Sequence, residues 1–178
     1  MNDVTSTHSE TTKISQFLTR RGAIVVKGTN QIGMINGENG DYIFIGTIVI
    51  GIAKGANKSS NYGISISRSD SSGALDTTAH MDLEEIDELV EAIDFIAESA
   101  RSIPGQPRDY TEVSYVSKDN IRIGFYSRKT DQHVFLQLPG GRGITFISQS
   151  RLPELRKHVL DAKHKLRMEG ASVPQERA

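Results

Sequence analysis

Apolar positions recur along this chain with two different periods, and the places where the period changes mark out its elements. From Ile14 through Ala23–Val26 to Gln31–Ile35, apolar and polar residues alternate, as expected of extended backbone with side chains on opposite faces. Asn36-Gly37-Glu38-Asn39-Gly40-Asp41 then breaks the alternation with two Asn-Gly steps. Both residue types tolerate positive φ, so the segment predicts a tight turn. Tyr42 to Ala53 is apolar and β-branched at most positions, which predicts a strand buried on both faces, or one bent at Gly46 and Gly51. Gly55–Asn61 reads as a loop, Tyr62–Ser67 as a half-exposed strand, and Ser69–His80 as a polar loop.

At Asp82 the period becomes helical. Leu83, Ile86, Leu89, Val90, Ile93, Ile96 and Ala97 form one stripe, with Glu84, Asp87, Glu88, Glu91, Asp94 and Glu98 opposite. Asp82 and Glu85 have capping-box spacing, and Met81 with Ile86 that of a hydrophobic staple. Asp82–Ala100 is therefore a helix, and Phe95 falls on its charged face. Ser102–Arg108, with two prolines and a glycine, ends it. Beyond it, Tyr110–Ser117, Asn120–Arg128, His133–Leu138 and Ile144–Ser148 read as strands. Lys118-Asp119 and Pro139–Gly143 read as turns, and Arg151–Met168 as a second helix.

The two halves share a plan. The stripe Leu83, Ile86, Val90, Ile93, Ala97 has the same offsets as Leu152, Leu155, Val159, Ala162, Leu166, and Gly63–Ser67 precedes the first helix as Gly143–Phe146 precedes the second. The expected fold class is α+β: two antiparallel β-meander-plus-helix units in one compact domain. Residues 1–12 form a disordered tail, 13–101 the first unit, 109–168 the second, and 169–178 a loose tail.

Composition narrows the functional classes. The 178 residues contain no cysteine, so disulfides, thiol nucleophiles and cysteine-bound zinc are excluded, and a reducing, cytoplasmic setting is expected. The most apolar run is far shorter than the roughly 20 residues of a membrane helix, and the polar start has no signal-peptide pattern. The net charge of −1 conceals an asymmetry: residues 1–105 hold 8 basic and 14 acidic side chains, residues 106–178 hold 13 and 8. Such halves can pair with each other, pair with a second copy, or offer the basic half to an anion.

Common chemistries lack their motifs. Gly51 to Ser59 has glycines and lysines but not the spacing of a phosphate-binding loop, and a strand follows where that loop needs a helix. His158, Asp161 and His164 lie three residues apart on one helix, a pattern without the i, i+4 histidines and glutamate of a zinc helix. Asp70 to Asp76 lacks the alternating ligands of a calcium loop, and no Gly-x-Ser-x-Gly elbow occurs. His133 and Tyr126 are the residual pair that could meet in space. No catalytic residue, metal or cofactor is assigned.

The remaining constellation lies on the strands of the second half. Ile121, Ile123 and Phe125 point to one face; Arg122, Tyr126 and Arg128 point to the other. Lys129 continues that run, Arg142 stands at a turn, and Phe135 and Gln137 fit the same polar face. Interleaved cations and rings suit single-stranded nucleic acid, with charge for phosphates and faces for bases. Phe95 is the candidate for a protein contact, self-association included. The expected function is a non-enzymatic binding module, with single-stranded nucleic-acid binding as the first alternative and a motif-less enzyme or metal protein as the second.

Two resemblances accompany this reading. Met81-Asp82-Leu83-Glu84-Glu85-Ile86, followed by Tyr110-Thr111-Glu112-Val113, resembles an uncharacterised bacterial family with a Leu-Asp-x-x-Glu-Ile helix before a Tyr-Thr-Glu-Val strand. That likeness spans roughly residues 42–167 and implies no activity. The repeated order of four strands and a helix is similar to the Whirly single-stranded DNA-binding fold, and residues 142–167 look like the last strand and helix of the transcriptional positive-cofactor family. Both imply a basic, aromatic sheet face that holds single strands.

Overall fold

The computed structural model describes residues 11–54, 57–103, 108–129 and 131–171. A short helix, α1 (Lys13–Leu18), precedes a four-stranded antiparallel meander of β1 (Ile24–Asn36), β2 (Tyr42–Lys54), β3 (Asn57–Ser69) and β4 (Leu75–Asp82). A 3-10 turn leads into α2 (Ile86–Ser102). The second meander runs β5 (Thr111–Val116), β6 (Arg122–Arg128), β7 (Asp131–Gln137) and β8 (Ile144–Ile147). Another 3-10 turn leads into α3 (Leu152–Met168). The fold is α+β with two similar sheet-and-helix units, as the repeated pattern predicts.

Strand β2 is apolar on both faces because each face meets a different layer. Ile43 and Ile45 join the main core with Ile64, Ile66, Val159 and Ala162. Ile48 and Ile50 face the other way and form a separate cluster with Ile14 of α1. Gly63, paired with Ile48, leaves room for this helix: a Cβ there would lie 2.1 Å from Ile14 Cδ1. The six residues of α1 are too few to hold a helix alone. Thr12 caps it, its hydroxyl accepting from Ser15 N–H, and the Asp82 carboxylate accepts from the N–H groups of Lys13 (2.8 Å) and Ile14 (3.2 Å). Lys13 also pairs with Glu84.

The stripes on α2 and α3 are buried as their spacing predicts, with Ile86, Ile93, Val159, Ala162 and Leu166 at 1 % exposure or less. Each long helix serves the other half's sheet: α2 packs on β5 and β6, whereas α3 packs on β1, β2 and β3. The helices also meet each other, and here the charge asymmetry finds its use. Asp94 of α2 pairs with Arg156 of α3 at 2.7 Å, and Asp87 pairs with Lys163. The acidic and basic halves thus neutralise one another within the chain along this seam.

A second joint ties the sheets together. Arg68 of β3, 13 % exposed, reaches Asp41 at 3.1 Å and Asp76 at 2.7 Å, and its Nε donates to the Thr145 hydroxyl of β8. Thr145 donates in turn to Asp41. Both carboxylate side chains are buried, so the guanidinium fork of β3 pairs with two charges, one from the β1–β2 turn and one from β4, and with a neutral hydroxyl from β8.

Three segments differ from the sequence reading. Lys13–Leu18 is helical, not extended, because a cap and a carboxylate distant in sequence hold it. Leu75–Asp82 is a strand: Ala79 and Met81 enter the core, and the polar Asp76, His80 and Asp82 that alternate with them are covered too, Asp76 by Arg68 and Asp82 by the start of α1. Strand β3 begins at Asn57, inside the expected loop, and its first residues are polar because Ser59 and Ser60 are exposed. The expected tails fall largely at residues 1–10 and 172–178, outside the described residues.

Candidate nucleic-acid interface on the second sheet

Alternation along β6 sends Ile123 and Phe125 into the core, at 1 % and 0 % exposure, and leaves Arg122, Tyr126 and Arg128 on the outer face. The ladder register carries that face across the sheet. Tyr126 stands opposite Glu112 of β5 and His133 of β7, Gly124 opposite Phe135, and Phe135 opposite Phe146 of β8. A row of rings is therefore assembled from four segments.

Tyr126 is its centre. Its ring lies 5.3 Å from His133, 6.0 Å from Tyr110 in a stacked arrangement, 6.2 Å from Phe135 and 6.3 Å edge-on from Phe146. His133 and Phe146 are 5.3 Å apart. Such offset and tilted contacts are the favourable ones for aromatic pairs. Phe135 is only 4 % exposed, because it lies over Gly124: a Cβ there would fall 2.6 Å from Phe135 Cζ. Phe135 thus forms the floor. Tyr126, His133 and Phe146 are half-buried, and Tyr110 is exposed.

The structure divides the five sequence-derived candidates into two groups. Arg122 and Tyr126 come together on the face, with the Arg122 guanidinium 5.6 Å from the Phe135 ring centre and 2.8 Å from the Glu112 carboxylate. Arg122 is therefore a partly neutralised cation that packs on a ring. Arg128 and Lys129 stand exposed at one end, in the β6–β7 hairpin, where Lys129 adopts φ 56. Arg142 is exposed at the opposite end, its backbone N–H fixed to Asp76 at 3.0 Å. Among the described residues, Arg128, Lys129 and Arg142 form no ion pair. The face is not uniformly basic: Glu38 sits 4.0 Å from His133.

Strand alternation predicts Phe135 on this face. His133 and Tyr126, expected only as a pair that could meet in catalysis, do meet, but as members of the ring row. Nothing local in the sequence marks Tyr110 or Phe146 as part of it. Tyr110 precedes the strand whose neighbour it stacks on. Phe146 aligns with Phe135 only once the register across the Pro139–Gly143 turn is known.

Phe95 is 65 % exposed and lines a shallow groove of ≈ 540 Å³ between α2 and β5, with Glu88, Glu91, Ala92, Ile96, Val113, Ser114 and Tyr115. Burial, with Glu85 and Glu88 nearby, pushes the Tyr115 hydroxyl up to about 12. His158 lies against Gly33 of β1, both ring nitrogens buried without a hydrogen bond. Among the described residues no group of three His, Asp or Glu could hold a metal ion. Asp70 accepts from the N–H groups of Ser72 and Ala74 in a tight turn, and Asp76 is committed to Arg68. Of the Gly51–Ser59 segment, residues 51–54 end β2 and residues 57–59 begin β3, strands paired with each other; residues 55 and 56 lie outside the described residues. Among the described residues no helix is long and apolar enough to cross a membrane.

No protein-family model, curated protein or solved structure matches the chain.

Proposed function

We propose that the protein is a non-enzymatic binding module and that the outer face of the second sheet takes a single-stranded nucleic acid. One observation carries this reading: Tyr110, Tyr126, His133 and Phe146 form a continuous, partly open row of rings over a Phe135 floor, with uncommitted cations at both ends. Rings offer faces to bases of any identity, and the flanking cations neutralise phosphates as the strand crosses. A duplex has no free base faces to stack, so the ligand class is single-stranded.

The charge inventory sets the expected salt dependence. With Arg128, Lys129 and Arg142 each meeting one phosphate, the slope of log affinity against log salt is about −2, at roughly −0.7 per contact for single strands. Between about 50 and 200 mM salt, affinity for a labelled oligo-dT strand falls about 20-fold by fluorescence anisotropy. Replacing Tyr126 with Ala weakens binding by about 5- to 150-fold, the range for a stacked base. Absence of binding at the lower salt removes the proposal.

A further inference from the structure

The four sheet edges of this fold are treated differently, and the difference singles out β5. The β8 edge is met by the β1–β2 turn, where Glu38 N–H donates to the Phe146 carbonyl at 2.7 Å. Along the β4 edge, His80 N–H donates to Asp119, and Thr77 donates to the Pro139 carbonyl. The β1 edge is interrupted by a register shift between Gln31 and Gly33 and carries Lys27 and two glycines. Bulges, lysines and covering loops are the devices by which proteins protect an open edge. Among the described residues, strand β5, Thr-Glu-Val-Ser-Tyr-Val, has none of them. It holds no proline, glycine or lysine, its register against β6 is unbroken, and among the described residues β6 is its only strand partner.

A groove runs beside this edge. Helix α2 forms its other wall and supplies Phe95, Ala92 and Ile96; β5 supplies Val113, Ser114 and Tyr115. The rim is acidic. Glu88 and Glu91 line it and, among the described residues, neither has an ion-pair partner, whereas Asp87, Asp94 and Glu98 of the same helix are paired with Lys163, Arg156 and Arg101. An unpaired strand edge beside a helix, with an exposed aromatic ring between them, is the geometry that accepts an added strand. Backbone hydrogen bonds hold the incoming chain, and alternate side chains enter the groove.

We propose that the β5–α2 groove docks an extended, basic segment of a partner protein by strand addition, with an apolar side chain against Phe95 and Val113 and a lysine or arginine against Glu88 and Glu91. The charge selects this occupant over a second copy. Pairing two β5 edges brings two acidic α2 rims toward one another, and unlike charges are needed across such a contact.

The test uses the full chain and two labelled ten-residue probe peptides, one alternating valine and lysine, the other valine and glutamate, measured by fluorescence anisotropy. The Val/Lys peptide binds at least ~10-fold more tightly. Phe95→Ala, a change at an exposed position, weakens that binding by ~10-fold or more. N-methylation of alternate peptide amides, which removes ladder donors and leaves the peptide's charge intact, abolishes it in one of the two registers. The proposal is overturned if the two peptides bind alike, if Phe95→Ala leaves the affinity unchanged, or if neither N-methylated register weakens binding. It is overturned equally if sedimentation shows a dimer that Phe95→Ala dissociates, since the occupant is then a second copy.

Discussion

Arg68 offers the sharpest test of how the two halves are joined. Its guanidinium bridges Asp41 and Asp76, whose side chains are 4 % and 8 % exposed, and Thr145 completes the network from the second sheet. Arg68→Met keeps most of the side-chain volume and removes the charge. Two buried carboxylates then lose their counter-ion, and breaking such a network by deleting one partner costs about 3–5 kcal/mol. For a chain of this size that lowers the melting midpoint by roughly 10 °C. Urea unfolding followed by circular dichroism measures the loss. A second variant separates charge from packing. Asp41→Asn on the Arg68→Met background removes one orphaned charge, so the double variant is more stable than the sum of the two single changes requires. The coupling is about 0.5–3 kcal/mol for groups in one network. A loss below about 1 kcal/mol in Arg68→Met, the range of exposed ion pairs, refutes the reasoning, as does strict additivity in the double variant.

Two further outcomes follow from local geometry. Gly124→Ala places a Cβ 2.6 Å from both Phe135 Cζ and the Val113 carbonyl oxygen; since backbone cannot move aside, the change destabilises by about 1–3 kcal/mol and weakens oligonucleotide binding by lifting the floor of the ring row, whereas Gly28→Ala, with only a 4.0 Å contact, changes stability by less than about 0.5 kcal/mol. His80 is buried with an unpartnered Nε2, and burial, with Lys27 adding to it, holds its pKa below the usual 6.5. The folded state therefore resists the proton that the unfolded chain accepts: the His80 contribution is intact above pH 6.5 and is lost as pH falls through the folded-state value. Urea midpoints from pH 7.5 down to 5 should fall more steeply for the natural chain than for His80→Gln, and parallel curves would exclude this origin.

Much of this architecture can be read from the chain. The helical stripes at Leu83–Ala97 and Leu152–Leu166 are buried as spacing requires, and Glu85 reaches back to Asp82 N–H at 3.0 Å, completing the capping pattern. The turn at Asn36–Asp41 and the two-faced burial of β2 follow from residue type. What escaped has a long-range cause. Helix α1 depends on Asp82, nearly seventy residues away, so its own six residues resemble alternating strand. Strand β4 buries polar Asp76, His80 and Asp82 against Arg68, Asp119 and α1, all distant in sequence or on other elements, and its two apolar core residues, Ala79 and Met81, are too few to show a period. The exchange of helices between sheets leaves no trace in periodicity, because a stripe reports that a face is buried and not against what. The site shows the same division. Arg122, Tyr126 and Arg128 share a face by strand alternation, which is local. The clustering of Tyr110 and Phe146 around Tyr126 depends on register across two turns, and the neutralisation of Arg122 by Glu112 depends on a neighbouring strand.

The central functional claim is that bases stack on this ring row, and tyrosine emission reports it directly. The chain has five tyrosines and no tryptophan, and two of the five, Tyr110 and Tyr126, belong to the row. Titration with oligo-dT at about 50 mM salt should quench the emission, and the quench should be lost in a Tyr110→Leu, Tyr126→Leu double variant that retains the natural circular dichroism spectrum. Binding seen by anisotropy without any tyrosine quench, or a quench that survives the double variant, would contradict the assignment of this face.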